Sequence, residues 1–311
     1  MRPIPDVHLL ALEHLAPGSH LGLMGEKKAK MSKLAEFLTR HPRCIYCGDK
    51  ATTEDHCPPR CFFLGRQWPE GYSFPACQTC NAEARLDEQA LGVLVRLNLD
   101  KDDLPGAKQD EFLKLIKGTQ NNWPAIVQEW TSGTRNDVRQ VLRKSFGEMG
   151  DDMRRAGYGA INLGSLTHGM INRFLVKLGK ALYFRHTGVI FDGIIFANHM
   201  SSYDARDDST AIDAALSFAP LRADLVRANN PLDDQFIYRF NASVELGVVN
   251  AVVRFSDQLI FHILAIRRDF QDAVSRQRDN HGLQQPTEGR FDCPLMHMAP
   301  AGTAHDEPCG S

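Results

Sequence analysis

The spacing of four cysteines constrains this chain more than any other feature. It reads C-x2-C-x29-C-x2-C over Cys44, Cys47, Cys77 and Cys80. Zinc takes four ligands tetrahedrally, with Zn–S near ~2.3 Å. Each C-x2-C knuckle supplies two thiolates, so residues 44–80 must fold back until the pairs meet. Gly48 suits the tight turn that the first knuckle needs. Two unrelated cysteine pairs or a redox pair are the competing readings. A redox pair needs one C-x2-C at a helix start and has no use for the second. The opening MRPIPDVHLLALEHLAPG is interrupted by Asp6, His8, Glu13 and His14 and makes a poor signal peptide. A cytoplasmic, reducing location is therefore expected, where the eight cysteines point to metal rather than to disulfides.

Bulk properties set wider bounds. A length of 311 residues fits one large domain or two ordinary ones. Apolar residues make up 43% and charged residues 24%, which is ordinary for a globular protein with a sizeable core. No apolar run is long enough to cross a membrane. The net charge of -2 does not favour a nucleic-acid partner, but phosphate contacts need only a local patch. Lys27, Lys28, Lys30, Lys33, Arg40, Arg43, Lys50, Arg60 and Arg66 outnumber Glu26, Glu36, Asp49, Glu54 and Asp55 around the cysteine motif. A solvated charged face is the plainer reading of the same residues.

The pattern along the chain predicts an α+β protein. Residues 1–40 read as a leader followed by a short helix over Lys27 to Leu38, stopped by His41-Pro42. Residues 41–100 form the cysteine module, with strands over Ala51 to His56 and Gly71 to Ala76 and a helix that Asn81 opens as its cap. Residues 101–275 begin with helices, including a strong amphipathic one over Met170 to Phe184. They end in antiparallel strands over Phe236–Phe240, Gly247–Phe255 and Leu259–Ile266, an α+β part of unknown role. Residues 276–311 read as a disordered, dispensable tail.

Between the cysteine pairs lie Asp55-His56 and Pro58-Pro59-Arg60, and Asn81 follows Cys80 directly. Over about residues 44–99 this resembles the HNH endonuclease family, closest to a bacterial subgroup with a DH-x-PP-[KR] core and a CxxCN finish. A weaker likeness extends to Lys177-x-x-Lys-Ala-Leu-Tyr. The resemblance implies a ββα-metal module with a treble-clef-like structural zinc on Cys44, Cys47, Cys77 and Cys80. It implies that His56 is the general base, while Asp55 and Asn81 hold a catalytic Mg²⁺ or Mn²⁺. The implied activity is hydrolysis of nucleic-acid phosphodiesters, with DNA the expected substrate. The chemistry is coherent by itself: an anionic phosphodiester needs charge neutralisation and an activated water, and an imidazole is the natural base near neutrality. Adjacent strand residues point to opposite faces, so Asp55 and His56 can share a site only at a bend or strand edge.

Two departures from the family pattern stand out. The middle Asn falls at Tyr72, with Ser73 next, and neither supplies an amide. A second His found in some members falls at Arg85, which with Arg60 is a candidate phosphate contact, while Glu88 is a candidate outer metal ligand. A treble clef that kept its zinc and only binds nucleic acid or a protein partner is the alternative function. Cys57 and Cys61 read as buried small hydrophobes, and Cys293 and Cys309 as free thiols. Phe62, Phe63 and Trp68 read as packing for the zinc module, and His262 as a satisfied core histidine.

Overall fold

The computed structural model describes residues 31–97, 106–155, 161–201, 216–255 and 259–270. The expected leader up to residue 30 and the expected tail 276–311 lie outside the described residues. A helix α1 over residues 31–40 precedes the first cysteine knuckle. Thr53–His56 (β1) and Ser73–Ala76 (β2) then pair antiparallel, with Asp55 opposite Phe74 and His56 opposite Ser73. Two short helices follow, α2 over Gln78–Glu83 and α3 over Arg85–Arg96. Ala90, Leu91, Val93 and Leu94 are the buried stripe of α3, whereas Leu86 is exposed.

The helical middle comprises α4 (Gly106–Asn122), α5 (Pro124–Thr131), α6 (Arg135–Phe146) and α7 (Met149–Arg155). Thr134 and Asp137 close a reciprocal capping box at the start of α6. The amphipathic segment forms α8, Ser165–Thr187, which ends where Gly188 turns left-handed. Beyond it lie β3 (Gly193–Ser201), β4 (Leu221–Arg222), β5 (Val226–Arg227), β6 (Asn230–Pro231), β7 (Phe236–Ser243), β8 (Val248–Phe255) and β9 (Leu259–Arg267). Five of these make one antiparallel sheet in the order β3-β9-β8-β7-β4, and β5 pairs only with β6. The protein is thus α+β, and no helix among the described residues is long and apolar enough to cross a membrane.

The core joins the cysteine region to the C-terminal sheet. One buried cluster runs from Cys44, Ile45 and Phe62 through Phe174 and Leu178 to Phe236, Phe255 and Ile263. Phe62 and Phe63 sit in the loop between β1 and β2, yet they do not pack a small zinc core of their own. Phe62 lies 5.2 Å from both Phe174 of α8 and Phe255 of β8, and Phe63 meets Phe236 at 6.1 Å. The large apolar area of these rings drives the loop onto the sheet. On α8, a Cβ on Gly179 would stand 3.0 Å from Ile195 and 3.1 Å from Ile263, so glycine lets the helix lie close on the sheet. Phe174→Ala should remove the ring between loop and sheet and cost about 3–5 kcal/mol. Because both regions share this core, urea unfolding should remain a single transition shifted to lower midpoint, with loss of secondary structure and of tryptophan fluorescence coincident.

Candidate functional site

The four cysteines converge. Cys44, Cys47, Cys77 and Cys80 bring their sulfurs within 4.8 Å of one another, and Cys47 and Cys77 are 3.7 Å apart. A tetrahedron with Zn–S of ~2.3 Å has S···S edges of about 3.8 Å, so the cluster could hold a metal such as zinc. Each knuckle is shaped by backbone donors. Tyr46 N–H donates to Cys44 Sγ at 3.4 Å, Gly48 N–H to the Cys44 carbonyl at 2.9 Å, and Gly48 turns at φ 83. In the second knuckle Cys77, not Asn81, caps α2: it is extended, and its Sγ accepts from Cys80 N–H at 3.4 Å. The helix starts earlier than expected because the sulfur supplies the capping acceptor. That backbone donation lowers the Cys77 pKa, whereas burial pushes Cys47 up to about 11.

β1 separates its neighbours by alternation. Thr53 and Asp55 face the helices. Asn81 donates from Nδ2 to Thr53 Oγ1 at 3.0 Å. Asp55 is buried and accepts from Tyr46 OH at 2.6 Å and from Lys177 Nζ at 2.8 Å. Lys177 also donates to Glu88, so one ammonium from α8 bridges two carboxylates from β1 and α3. Burial opposes the charge on Lys177, but Asp55 and Glu88 outweigh it and raise its pKa. Burial pushes Glu88 up to about 7, despite Lys177. Nearby, Lys180 Nζ donates to the Tyr46 carbonyl at 2.7 Å, and Arg173 grips Asp87 with two bonds of 2.6 and 2.8 Å. Tyr46, Cys80, Glu88 and Lys177 line a cavity of about 210 Å³.

Lys177→Met should strand two buried carboxylates without a cation and destabilise the protein by about 3–5 kcal/mol. Adding Glu88→Gln should recover part of that loss, measured by urea denaturation at pH 7.

His56 points the other way. Its Nε2 lies 2.6 Å from Arg60 Nη2, and a guanidinium can only donate, so Nε2 accepts and carries no proton. The ring stands edge-on to Trp68 at 4.9 Å. Arg60 lies over Trp68 at 3.8 Å and Arg227 of β5 at 4.0 Å. Burial first, and the Arg60 charge second, lower the His56 pKa to about 4. The imidazole is neutral at physiological pH, and its Nε2 lone pair is engaged by Arg60.

The folded pKa lies below the ordinary 6.5, so the folded state gains protons later than the unfolded chain. This contribution to stability is complete above pH 6.5 and is lost as pH falls through about 4. His56 ring resonances should stay flat in an NMR titration between about pH 8 and about pH 5, the range in which an ordinary histidine titrates. Arg60→Ala should move the midpoint upward.

The hairpin therefore brings Asp55, Asn81 and Glu88 to one side and His56 with Arg60 to the other. Arg85 is exposed at the first residue of α3 and makes no ion pair among the described residues. Tyr72, at the position of the missing amide, is buried, and its hydroxyl meets Tyr238 OH at 2.6 Å. Cys57 is fully buried and Cys61 donates to the Glu88 carbonyl at 3.4 Å, as small core thiols do. His262 is satisfied by Asn250 at 2.7 Å. Trp68 packs against the core that holds the cysteine region, and it also carries two guanidiniums. Sequence reasoning missed Tyr46 and Arg227. Tyr46 had a signal, a phenol inside the first knuckle, whereas Arg227 had none. No protein family, curated protein or solved structure matches this chain.

Proposed function

We propose that this chain is a metal-dependent endonuclease of the HNH type, hydrolysing DNA phosphodiesters from a treble-clef-like module built on a structural zinc. The observation that carries the reading is the hairpin β1–β2 closed by the four-cysteine cluster, with a neutral His56 ending β1 and Arg60 beside it. A neutral imidazole can take a proton from water, and an adjacent guanidinium suits an anionic phosphodiester. Arg60 holds the lone pair in the free protein, so a bound phosphate that draws Arg60 away would release His56 for that role. Asp55 and Asn81 are the proposed ligands of the catalytic Mg²⁺ or Mn²⁺, with Glu88 in support. Electrostatics favours a dication there. Two carboxylates share one ammonium, and burial first, with the Asp55 charge adding to it, holds the Glu88 proton up to about 7 despite Lys177. Asp55 is nevertheless already engaged by Lys177 and Tyr46, so a divalent ion must displace the ammonium. That engagement favours the second reading, a zinc module that binds nucleic acid without cutting it.

Plasmid cleavage with Mg²⁺ or Mn²⁺ separates the two. Wild type should cut, and His56→Ala should lose about 10² to 10⁴-fold in rate while keeping its zinc. Asn81→Ala should shift the divalent-metal dependence, and Cys80→Ser should lose zinc and fold, since a structural site supplies folding energy directly. Cleavage by His56→Ala at the wild-type rate overturns its role as base. A wild type that binds the plasmid but never cuts it establishes the second reading.

A further inference from the structure

Three arginines gather on the His56 side of the hairpin from different parts of the chain. Arg60 follows β1, Arg66 ends the next short turn, and Arg227 comes from β5, far along the sequence. None makes an ion pair with a carboxylate among the described residues. Arg60 Nε is buried and has no hydrogen-bond partner. The acidic groups that approach this face are Glu54, which precedes His56 on β1, Glu70, whose Oε1 already accepts from Ala228 N–H at 2.9 Å, and Glu111, whose Oε2 accepts from Gly65 N–H at 3.2 Å and pairs with Arg96. The face is cationic although the chain as a whole carries -2.

The arm that delivers Arg227 is a tight two-residue hairpin. Arg227 and Asn230 pair across a two-residue turn, Ala228-Asn229, with φ 49 and 65. Glu70 N–H donates to the Val226 carbonyl at 3.0 Å and anchors the arm beside Trp68. The remaining non-glycine residue of positive φ among the described residues is Arg66 itself, at φ 55. Among the described residues, the left-handed non-glycine backbone lies at the arms that present Arg66 and Arg227. Guanidiniums stacked on an aromatic ring keep their N–H edges outward, the geometry for bidentate contact with phosphate oxygens.

We propose that Arg227, stacked on Trp68, completes with Arg60 and Arg66 a cradle for the phosphodiester backbone of DNA passing His56. The C-terminal region thereby lends the hairpin a phosphate contact that the cysteine module lacks. This deepens the nuclease reading but does not require cleavage. The cradle binds backbone, not bases, so it is indifferent to sequence.

Fluorescence anisotropy of the full-length protein with a labelled DNA duplex tests this without added divalent cation, so that binding is read apart from cutting. The logarithm of affinity against the logarithm of salt falls by ~0.9 per phosphate contact. Arg227→Gln and Arg66→Gln should each flatten that slope by about one contact, and Arg227→Lys should restore part of it. Arg155→Ala, which breaks the exposed pair with Asp152 and a bond to the Asp151 carbonyl on α7, should leave the slope unchanged. Zinc content and circular dichroism identify a variant that fails to fold, and the exposed Arg66 then decides the outcome. Wild-type slope in both folded glutamine variants overturns the cradle and leaves the nuclease reading standing. Normal slopes for binding with no cleavage under any divalent ion overturn the nuclease reading and leave the cradle. Competition by inorganic phosphate beyond its effect on ionic strength, at low millimolar concentration (on the order of weak anion affinities), assigns the site to free phosphate and overturns the DNA backbone as its ligand.

Discussion

The ammonium of Lys177 fixes the relation between the hairpin, α3 and α8. It is a buried charge among groups that are themselves buried, so its geometry is not optional. Removing a charge from water costs several kcal/mol per ion even after relaxation. Attraction between charges 4 Å apart returns about 4 kcal/mol where the effective dielectric is 20. One ammonium shared by two carboxylates therefore roughly breaks even and adds little net stability. What it does is specify. A displaced α8 leaves Asp55 and Glu88 facing each other with no counter-charge, so alternative packings of the helix are penalised more than the native one is rewarded. Tyr46 extends the constraint to the first cysteine knuckle, because its hydroxyl holds Asp55 while its carbonyl takes Lys180. The four-cysteine cluster and the long helix are thus tied through a single residue.

Around that constraint the hydrophobic core explains why the cysteine region is not an independent module. Phe62 and Phe63 leave the β1–β2 loop and enter the aromatic group of Phe174, Phe236 and Phe255. A hairpin of two four-residue strands is marginal alone in water. Here it gains a four-sulfur clamp at one end and a shared aromatic core beneath its loop. Both are needed to hold His56 at a defined place on an otherwise short strand.

Local pattern made much of this legible in the sequence. The cysteine pairs announce their convergence by spacing, and β7, β8 and β9 announce themselves by runs of β-branched and aromatic residues between turns. The amphipathic period marks α8, with its ends a few residues short. Edge strand β3 has no such mark because its pattern is weak: Ile194 and Phe196 are exposed at the sheet's rim. Asn81 reads as a cap because Asn is a good one, but a cysteine sulfur nearer the knuckle fills that place. The fate of Asp55 is not a local property at all. Its partner Lys177 lies on a helix whose apolar period explains only its packing, and the choice between metal ligand and ion-pair member is made by tertiary contact. Arg227 is harder still, since nothing in a two-residue strand marks it as the neighbour of Trp68.

The alternation of β1 gives the hairpin two faces of opposite electrical character, and this bears on how an adjacent Asp and His can serve one substrate. Asp55 looks inward to Lys177, shared with Glu88, whereas His56 looks outward to Arg60 and Arg227. A phosphodiester is repelled by the first face and drawn to the second. A cation has the opposite preference. The ladder ends where His56 pairs with Ser73, and the nuclease reading proposed above requires both to meet at that strand end. A substrate anion on the arginines and a cation on the carboxylates would then face each other across the last residue of β1. Lys177 already occupies the carboxylates on the inner side. On the nuclease reading proposed above, binding at the outer face would have to be coupled to release of Lys177 at the inner one, and β1 is the strand that joins the two faces.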